Sequence, residues 1–209
     1  PEAVRAVREV MPEVFIFENV KGLLRKSFSQ YFSYIILQLT YPSIVKPSNM
    51  TWEQHREILE KHHTSNEHND CEYNVIFRLL NAADYGVPQL RHRVVIVGFR
   101  KDVNAHWTFP QATHSKEALL YSKWISGDYW ERHSLVRPKE NPLSTQAQKH
   151  LRKVIEETDR PLAPWQTTRD AIGDLPAPRS KAAGNYDNHI FRGGAKIYPG
   201  HSGSLLDEP

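Results

Sequence analysis

The sequence predicts an α/β fold, a mainly parallel sheet with an antiparallel edge hairpin, and three sets of residues carry that prediction. Val14-Phe15-Ile16-Phe17 is apolar at every position and runs into Glu18-Asn19-Val20, the pattern of a central parallel strand buried on both faces. Apolar residues recur at helical spacing on either side: Val4, Val7 and Val10 before it, then Phe28, Phe32, Ile35, Ile36 and Leu39 after it. Two further β-rich runs, residues 74–80 and 93–99, are separated by a stretch too short for a crossover helix, so they can pair only as antiparallel neighbours.

Residues 1–11 read as an amphipathic helix leading into the strand at 14–17. A parallel sheet needs strands ahead of this one, so the fold is expected to be cut rather than complete. Ser27 and Gln30 form a capping-box pattern that predicts a second helix, ended by Pro42. Thr51 and Gln54 repeat the pattern and open a third helix to about His63. Residues 42–70 are expected to leave the sheet as an excursion. Within and just after it, His62, His63, His68 and Cys71 lack the spacing of paired metal ligands and read as a solvated loop, with no metal. Cys71 lies between Asp70 and Glu72, acids that raise a thiol pKa, which favours a structural cysteine.

Ahead of the last run stands Gln89-Leu90-Arg91-His92-Arg93. At the period of two of a strand, Gln89, Arg91 and Arg93 would project to one side, and Leu90 and His92 to the other. A solvated edge strand uses charge in this way to block aggregation. A clamp for an anionic or carbonyl-rich ligand uses the rigid guanidinium fork. Glu18 has the same two readings: the solvated end of a strand, or a carboxylate at the strand's carboxyl end, where α/β sheets bind ligands.

Composition sets outer bounds. The 209 residues suffice for a sizeable core, and the 14 Pro and 10 Gly gather mostly in the second half, which predicts an ordered first half and a loop-rich second. No stretch approaches a membrane span, and the net charge of +3 permits a nucleic-acid partner without demanding one. A single cysteine excludes an internal disulfide and fits a reducing, cytoplasmic setting.

Taken together, Glu18-Asn19-Val20 after its strand, and Gln89-Leu90-Arg91-His92-Arg93 behind Tyr85-Gly86-Val87-Pro88, resemble the E-N-V and Q-x-R-x-R motifs of the DNA cytosine-5 methyltransferase family. The resemblance covers residues 1–105 well. It continues more loosely through Trp165 to Pro176, with Thr168-Arg169-Asp170-Ala171-Ile172-Gly173-Asp174-Leu175-Pro176, and through Asn188-His189 and residues 198–203. It implies the C-terminal part of a doubly wound, Rossmann-like methyltransferase sheet: a partial catalytic domain over 1–105 and a partial, loop-rich target-recognition region over 106–209. It also implies methyl transfer from S-adenosylmethionine to C5 of a cytosine flipped out of duplex DNA. In that chemistry Glu18 shares or donates a proton at N3 and the exocyclic amine. Arg93 and Arg91 stabilise charge near O2 or orient the carboxylate, and the sequence does not divide those two tasks between them.

The family's F-x-G-x-G cofactor loop, its Pro-Cys nucleophile and its closing R-x-x-T-x-R-E pattern do not occur in the sequence. This chain alone is therefore expected neither to bind S-adenosylmethionine well nor to transfer methyl groups. Its implied partners are duplex DNA and the missing N-terminal part or a complementary subunit. Three alternatives stand beside this: a cytosine-5 methyltransferase acting on transfer RNA, a non-catalytic DNA-binding or regulatory subunit, and an unrelated nucleotide-binding α/β module.

Overall fold

A computed structural model describes residues 2–65, 72–190 and 205–209. The chain divides into two compact units, one formed by residues up to 80 with 92–110, the other by 81–91 with 111 onward.

The first unit opens with α1 (Glu2–Val10), whose Glu2 in the first turn and Arg8 in the last complement the helix dipole. Val4 and Val7 are its buried stripe. β1 (Val14–Val20) follows, then 3-10 turns, α2 (Ser29–Thr40), α3 (Trp52–Thr64), β2 (Tyr73–Asn81) and β3 (His92–Arg100). The three strands form one sheet in the order β1-β3-β2. Val4, Val7, Phe32 and Leu39 from the helices pack with Phe15, Tyr73, Val94 and Ile96 from the strands as the unit's core.

β1 departs from the sequence expectation. It pairs with β3, antiparallel, from Val14↔Phe99 to Val20↔Arg93, and among the described residues it has no parallel neighbour. It is covered on one face only: Phe15 is 6% exposed and Ile16 66%. A uniformly apolar run does not reveal how many faces have a partner. Here α1 and α2 cover the face of Phe15 and Phe17.

Phe15 stands directly opposite Gly98. A Cβ at position 98 would lie 2.1 Å from Phe15 Cζ, so the glycine makes room for the ring. On β3, Val97 is buried as well, and Phe99 starts an aromatic row through Trp107 to Phe109, with the Arg78 guanidinium 5.0 Å from the Phe109 ring centre.

Of the two expected capping boxes, one forms. The Thr51 hydroxyl accepts from Gln54 N at 3.3 Å, and Gln54 Oε1 accepts from Thr51 N at 3.0 Å. Ser27 caps nothing: Lys26–Phe28 is a 3-10 turn, and α2 starts at Ser29 behind Phe28 with no side-chain cap. Apolar contacts of Phe32 and Leu39 with the sheet hold that helix in place of a cap. α2 and α3 pack through Tyr34, Leu37, Tyr41 and Leu59, and buried His55 sits 2.9 Å from the Tyr34 hydroxyl. His62 and His63 lie in the last turn of α3 rather than in a loop, and His63 Nδ1 is 2.8 Å from Tyr41 Oη. His68 and Cys71 lie outside the described residues.

The second unit holds more helix than its composition suggests. β4 (His114–Ser115) pairs in parallel with β5 (Ala163–Pro164), and α4 (Lys116–Tyr121), α5 (Asp128–Arg132), α6 (Thr145–Glu156) and α7 (Thr168–Ile172) surround them in sequence. Leu119, Tyr129 and Trp130 form its core, flanked by Trp124, Leu135 and Trp165. Residues 205–209 fold back here: Asp207 accepts from Tyr129 Oη at 2.8 Å and from Arg169 Nε at 2.6 Å. Burial first, then the Asp207 carboxylate, push the Tyr129 phenol up to about 12, so it stays a donor. No helix among the described residues is long and apolar enough to cross a membrane.

Candidate active site

Glu18 and Arg93 project from facing strands. In the β1/β3 ladder Glu18 pairs with Val95 and Arg93 with Val20, so the two residues are diagonal neighbours on one face of the sheet, within reach for long side chains. The Arg93 guanidinium forms an ion pair with the Glu18 carboxylate through Nε and Oε1, and its Nη1 donates 2.9 Å to the carbonyl of His92. Glu18 keeps about half of its side chain in solvent, against a quarter for Arg93. The carboxylate therefore has a fixed cation on one side and open space on the other.

Asn19 points the other way. Its Oδ1 accepts from the backbone N–H of Val20 at 2.8 Å, a local bond that shapes the strand's end, and it lines an apolar cleft of about 500 Å³ with Phe17, Tyr31, Tyr34 and Trp52. Val20 is exposed.

The expected row of Gln89, Arg91 and Arg93 is not a single strand face. β3 starts at His92, so only Arg93 is on it. The stretch before it is a compact loop in the second unit. Ala82–Tyr85 is a 3-10 turn, Gly86 takes a left-handed φ of 83°, and Gln89 N donates to the Val87 carbonyl at 2.7 Å. Pro88 has no N–H to give a ladder. Arg91 is exposed, its N–H donating 3.1 Å to Asn81 Oδ1 and its carbonyl accepting from Ala82 N at 3.0 Å. The strand period of two does not extend over these residues, because the turn chemistry of Asp84-Tyr85-Gly86-Val87-Pro88 outranks it.

The loop's own anchors escaped the sequence reading. Asn81 is buried, and Asp84 Oδ1 accepts from the indole N–H of Trp165 at 2.9 Å. An Asp two residues before a glycine turn is the one local sign. Its partner, 81 residues away in sequence, leaves none.

The segment from Trp165 to Pro176 contains α7, capped by a box between Thr167 and Asp170. Asp170 also takes Arg132 Nη2 at 2.8 Å and His133 Nε2 at 3.0 Å. His189 Nε2 donates to the Pro176 carbonyl. Residues 198–203 lie outside the described residues. Among the described residues no group of three or more His, Cys, Asp or Glu is placed to hold a metal ion.

The family model of C-5 cytosine-specific DNA methylases matches residues 48–191, more than half of the chain. The chain belongs to the C-5 cytosine-specific DNA methylase family. The matched stretch contains the 81–91 loop and Arg93 and begins after Glu18. The chain is 34% identical over 117 residues to the Type II methyltransferase M.BspRI of Lysinibacillus sphaericus, covering 56% of this chain and 21% of the relative. It is 39% identical over 117 residues to M.SacI of Streptomyces achromogenes, covering 56% of this chain and 22% of the relative. With M.AquIA of a Picosynechococcus strain it shares 29% over 175 residues, 84% of this chain and 48% of the relative. The chain thus spans from about a fifth to about half the length of these relatives.

Proposed function

We propose that the chain is part of a DNA cytosine-5 methyltransferase, in which β1, β2 and β3 belong to a doubly wound sheet and Glu18, Arg91 and Arg93 act on a cytosine flipped out of duplex DNA. The observation that carries this reading is the Glu18–Arg93 ion pair on one sheet face, formed by the motifs that resemble the family's, in a chain that belongs to that family.

Attack of a nucleophile at C6 of cytosine pushes electron density into the ring, towards N3 and O2. A carboxyl group at N3 and the exocyclic amine relieves that charge by sharing or donating a proton, which is the task of Glu18. Arg93 holds Glu18 in place and offers the remaining guanidinium donors to O2, where negative charge grows. Arg91 supplies a second cation to the same base or to the neighbouring backbone phosphates. The half-exposed Glu18 suits this task, since the base must reach it from solvent after leaving the stack.

S-adenosylmethionine is the methyl donor that the family implies. The described residues do not fit it by themselves: no carboxylate lines the cleft beside Asn19 to take ribose hydroxyls, and the sequence holds no F-x-G-x-G turn. The residues that hold the donor, and the attacking thiolate, are assigned to the remainder of the enzyme.

The deciding experiment uses the full-length enzyme, duplex DNA and labelled S-adenosylmethionine, with Glu18→Gln as the variant. Glu18→Gln keeps the shape and removes the acid, and a fall in kcat of about a hundredfold or more is expected. A full rate would remove Glu18 from the chemistry. Label entering transfer RNA rather than duplex DNA would replace the substrate, and duplex binding without transfer would leave a non-catalytic subunit.

A further inference from the structure

The loop that carries Gln89 and Arg91 is fastened at a point remote from both. Inside the loop, Ala82 N donates to the Arg91 carbonyl at 3.0 Å, Arg91 N to Asn81 Oδ1 at 3.1 Å and Val87 N to the Ala82 carbonyl at 3.3 Å, which closes residues 81–91 into one body. Three contacts then tie that body to residues 113–165. The Asp84 carbonyl accepts from Thr113 N at 2.9 Å, and Asp84 Oδ1 accepts from Trp165 Nε1 at 2.9 Å. Gly86 lies so close to the His114 ring that a Cβ there would meet Cε1 at 2.8 Å.

Trp165 is itself held from two sides. Its backbone N–H donates 3.1 Å to the Ser115 carbonyl at the end of the β4/β5 bridge, and its ring packs against the Leu119, Tyr129 and Trp130 cluster. A rigid indole thus offers its one N–H to a carboxylate oxygen, a directional bond with a charged acceptor. Asp84 receives it on the side chain while its backbone is fixed by Thr113, so the loop cannot pivot about this residue without losing both bonds.

We propose that Asp84 and Trp165 are positioning residues for Arg91 and Gln89: the indole-to-carboxylate bond sets where the 81–91 loop presents them. The proposal rests on the reading of Arg91 given under Proposed function. It makes the core of the second unit a determinant of rate, although neither residue is required to touch the base.

The test takes the full-length enzyme with Asp84→Ala, Asp84→Asn and Trp165→Phe. Asp84→Asn keeps an oxygen acceptor, and Trp165→Phe keeps an aromatic ring without the N–H. Asp84→Ala and Trp165→Phe are expected to lower kcat about tenfold, the scale of one hydrogen bond to a charged group, with KM for duplex DNA changed by less than about threefold. Asp84→Asn should recover most of the loss. The double variant Asp84→Ala/Trp165→Phe should be no slower than the slower single one, because both remove the same bond.

Amide exchange at Ala82 and Arg91 gives a second readout independent of turnover, and it should quicken in both single variants. Parent-like kcat together with unchanged exchange would overturn the proposal, as would losses that multiply in the double variant. Should Asp84→Ala not fold, Trp165→Phe decides by the same two readouts. Failure of the parent enzyme to methylate cytosine in duplex DNA would instead strike the proposed function, with the exchange data still deciding whether the bond holds the loop.

Discussion

Glu18 and Arg93 are offset by two residues on facing antiparallel strands, a diagonal that keeps both on one sheet face, where a carboxylate and a guanidinium are long enough to meet. Their direct cross-strand partners are Val95 for Glu18 and Val20 for Arg93. In the full-length enzyme, Arg93→Lys retains the charge but gives up the planar fork. The expected outcome is a fall in methylation kcat of about a hundredfold, as for loss of one preorganised donor. A rate within about threefold of the parent would take Arg93 out of the clamp.

Gly98→Ala tests the close approach of β3 to the Phe15 ring. The added methyl would overlap ring carbons that the sheet and α2 hold in place, at an expected cost of about 1–3 kcal/mol. Phe15→Leu in the Gly98→Ala background should recover part of it. Urea denaturation midpoints of the three proteins provide the measurement.

Buried His55 links α3 to α2 through the Tyr34 hydroxyl. Burial pushes its imidazole below the ordinary 6.5 and outweighs an opposing pull from the Ile44 backbone, with the nearby Lys46 cation adding a lesser downward push. The folded state therefore binds this proton less readily than the unfolded chain does. Its contribution to stability is complete above the ordinary value and is lost as pH falls below it. Urea midpoints between about pH 8 and about pH 5 should drop, and the slope should shrink in a His55→Gln variant.

Asp170 joins α7's cap to Arg132 and His133. Burial pushes its carboxyl up, but hydrogen bonds from Thr167, with Arg132 and His133 beside it, outweigh that and hold it below the usual carboxylate range. Asp170→Ala leaves the Thr167 N–H and hydroxyl, His133 and the Arg132 cation without their acceptor, and is expected to cost about 3 kcal/mol or more. Asp170→Asn should cost less than Asp170→Ala. The stability that Asp170 supplies is present above the ordinary carboxylate pKa and is lost as pH falls through its lowered value. A thermal melt of each variant at neutral pH checks the order.

The sequence shows the strands, because β-rich runs with Gly and Pro between them leave little choice, and it shows α3, because Thr51 and Gln54 cap it in their own residues. It misleads where local signals are overruled. Ser27 and Gln30 spell a cap that the chain bypasses in favour of burying Phe32, and the alternation of Gln89, Arg91 and Arg93 is broken by the turn at Gly86. The Glu18–Arg93 contact needs a register, and register is settled by which face finds a cover, a property no single strand carries. The Asp84–Trp165 bond is further out of reach, since it joins residues with no periodic relation.

That bond has a practical bearing on chimeras made between this chain and a relative. A graft that takes residues 81–91 from one parent and the stretch from 111 to 165 from another separates the indole from its carboxylate and the His114 ring from the glycine it crowds. Crossover points placed before Asn81 and after α7 move both ends of these contacts together, and libraries cut there should return more active recombinants than libraries cut between Arg93 and Trp165.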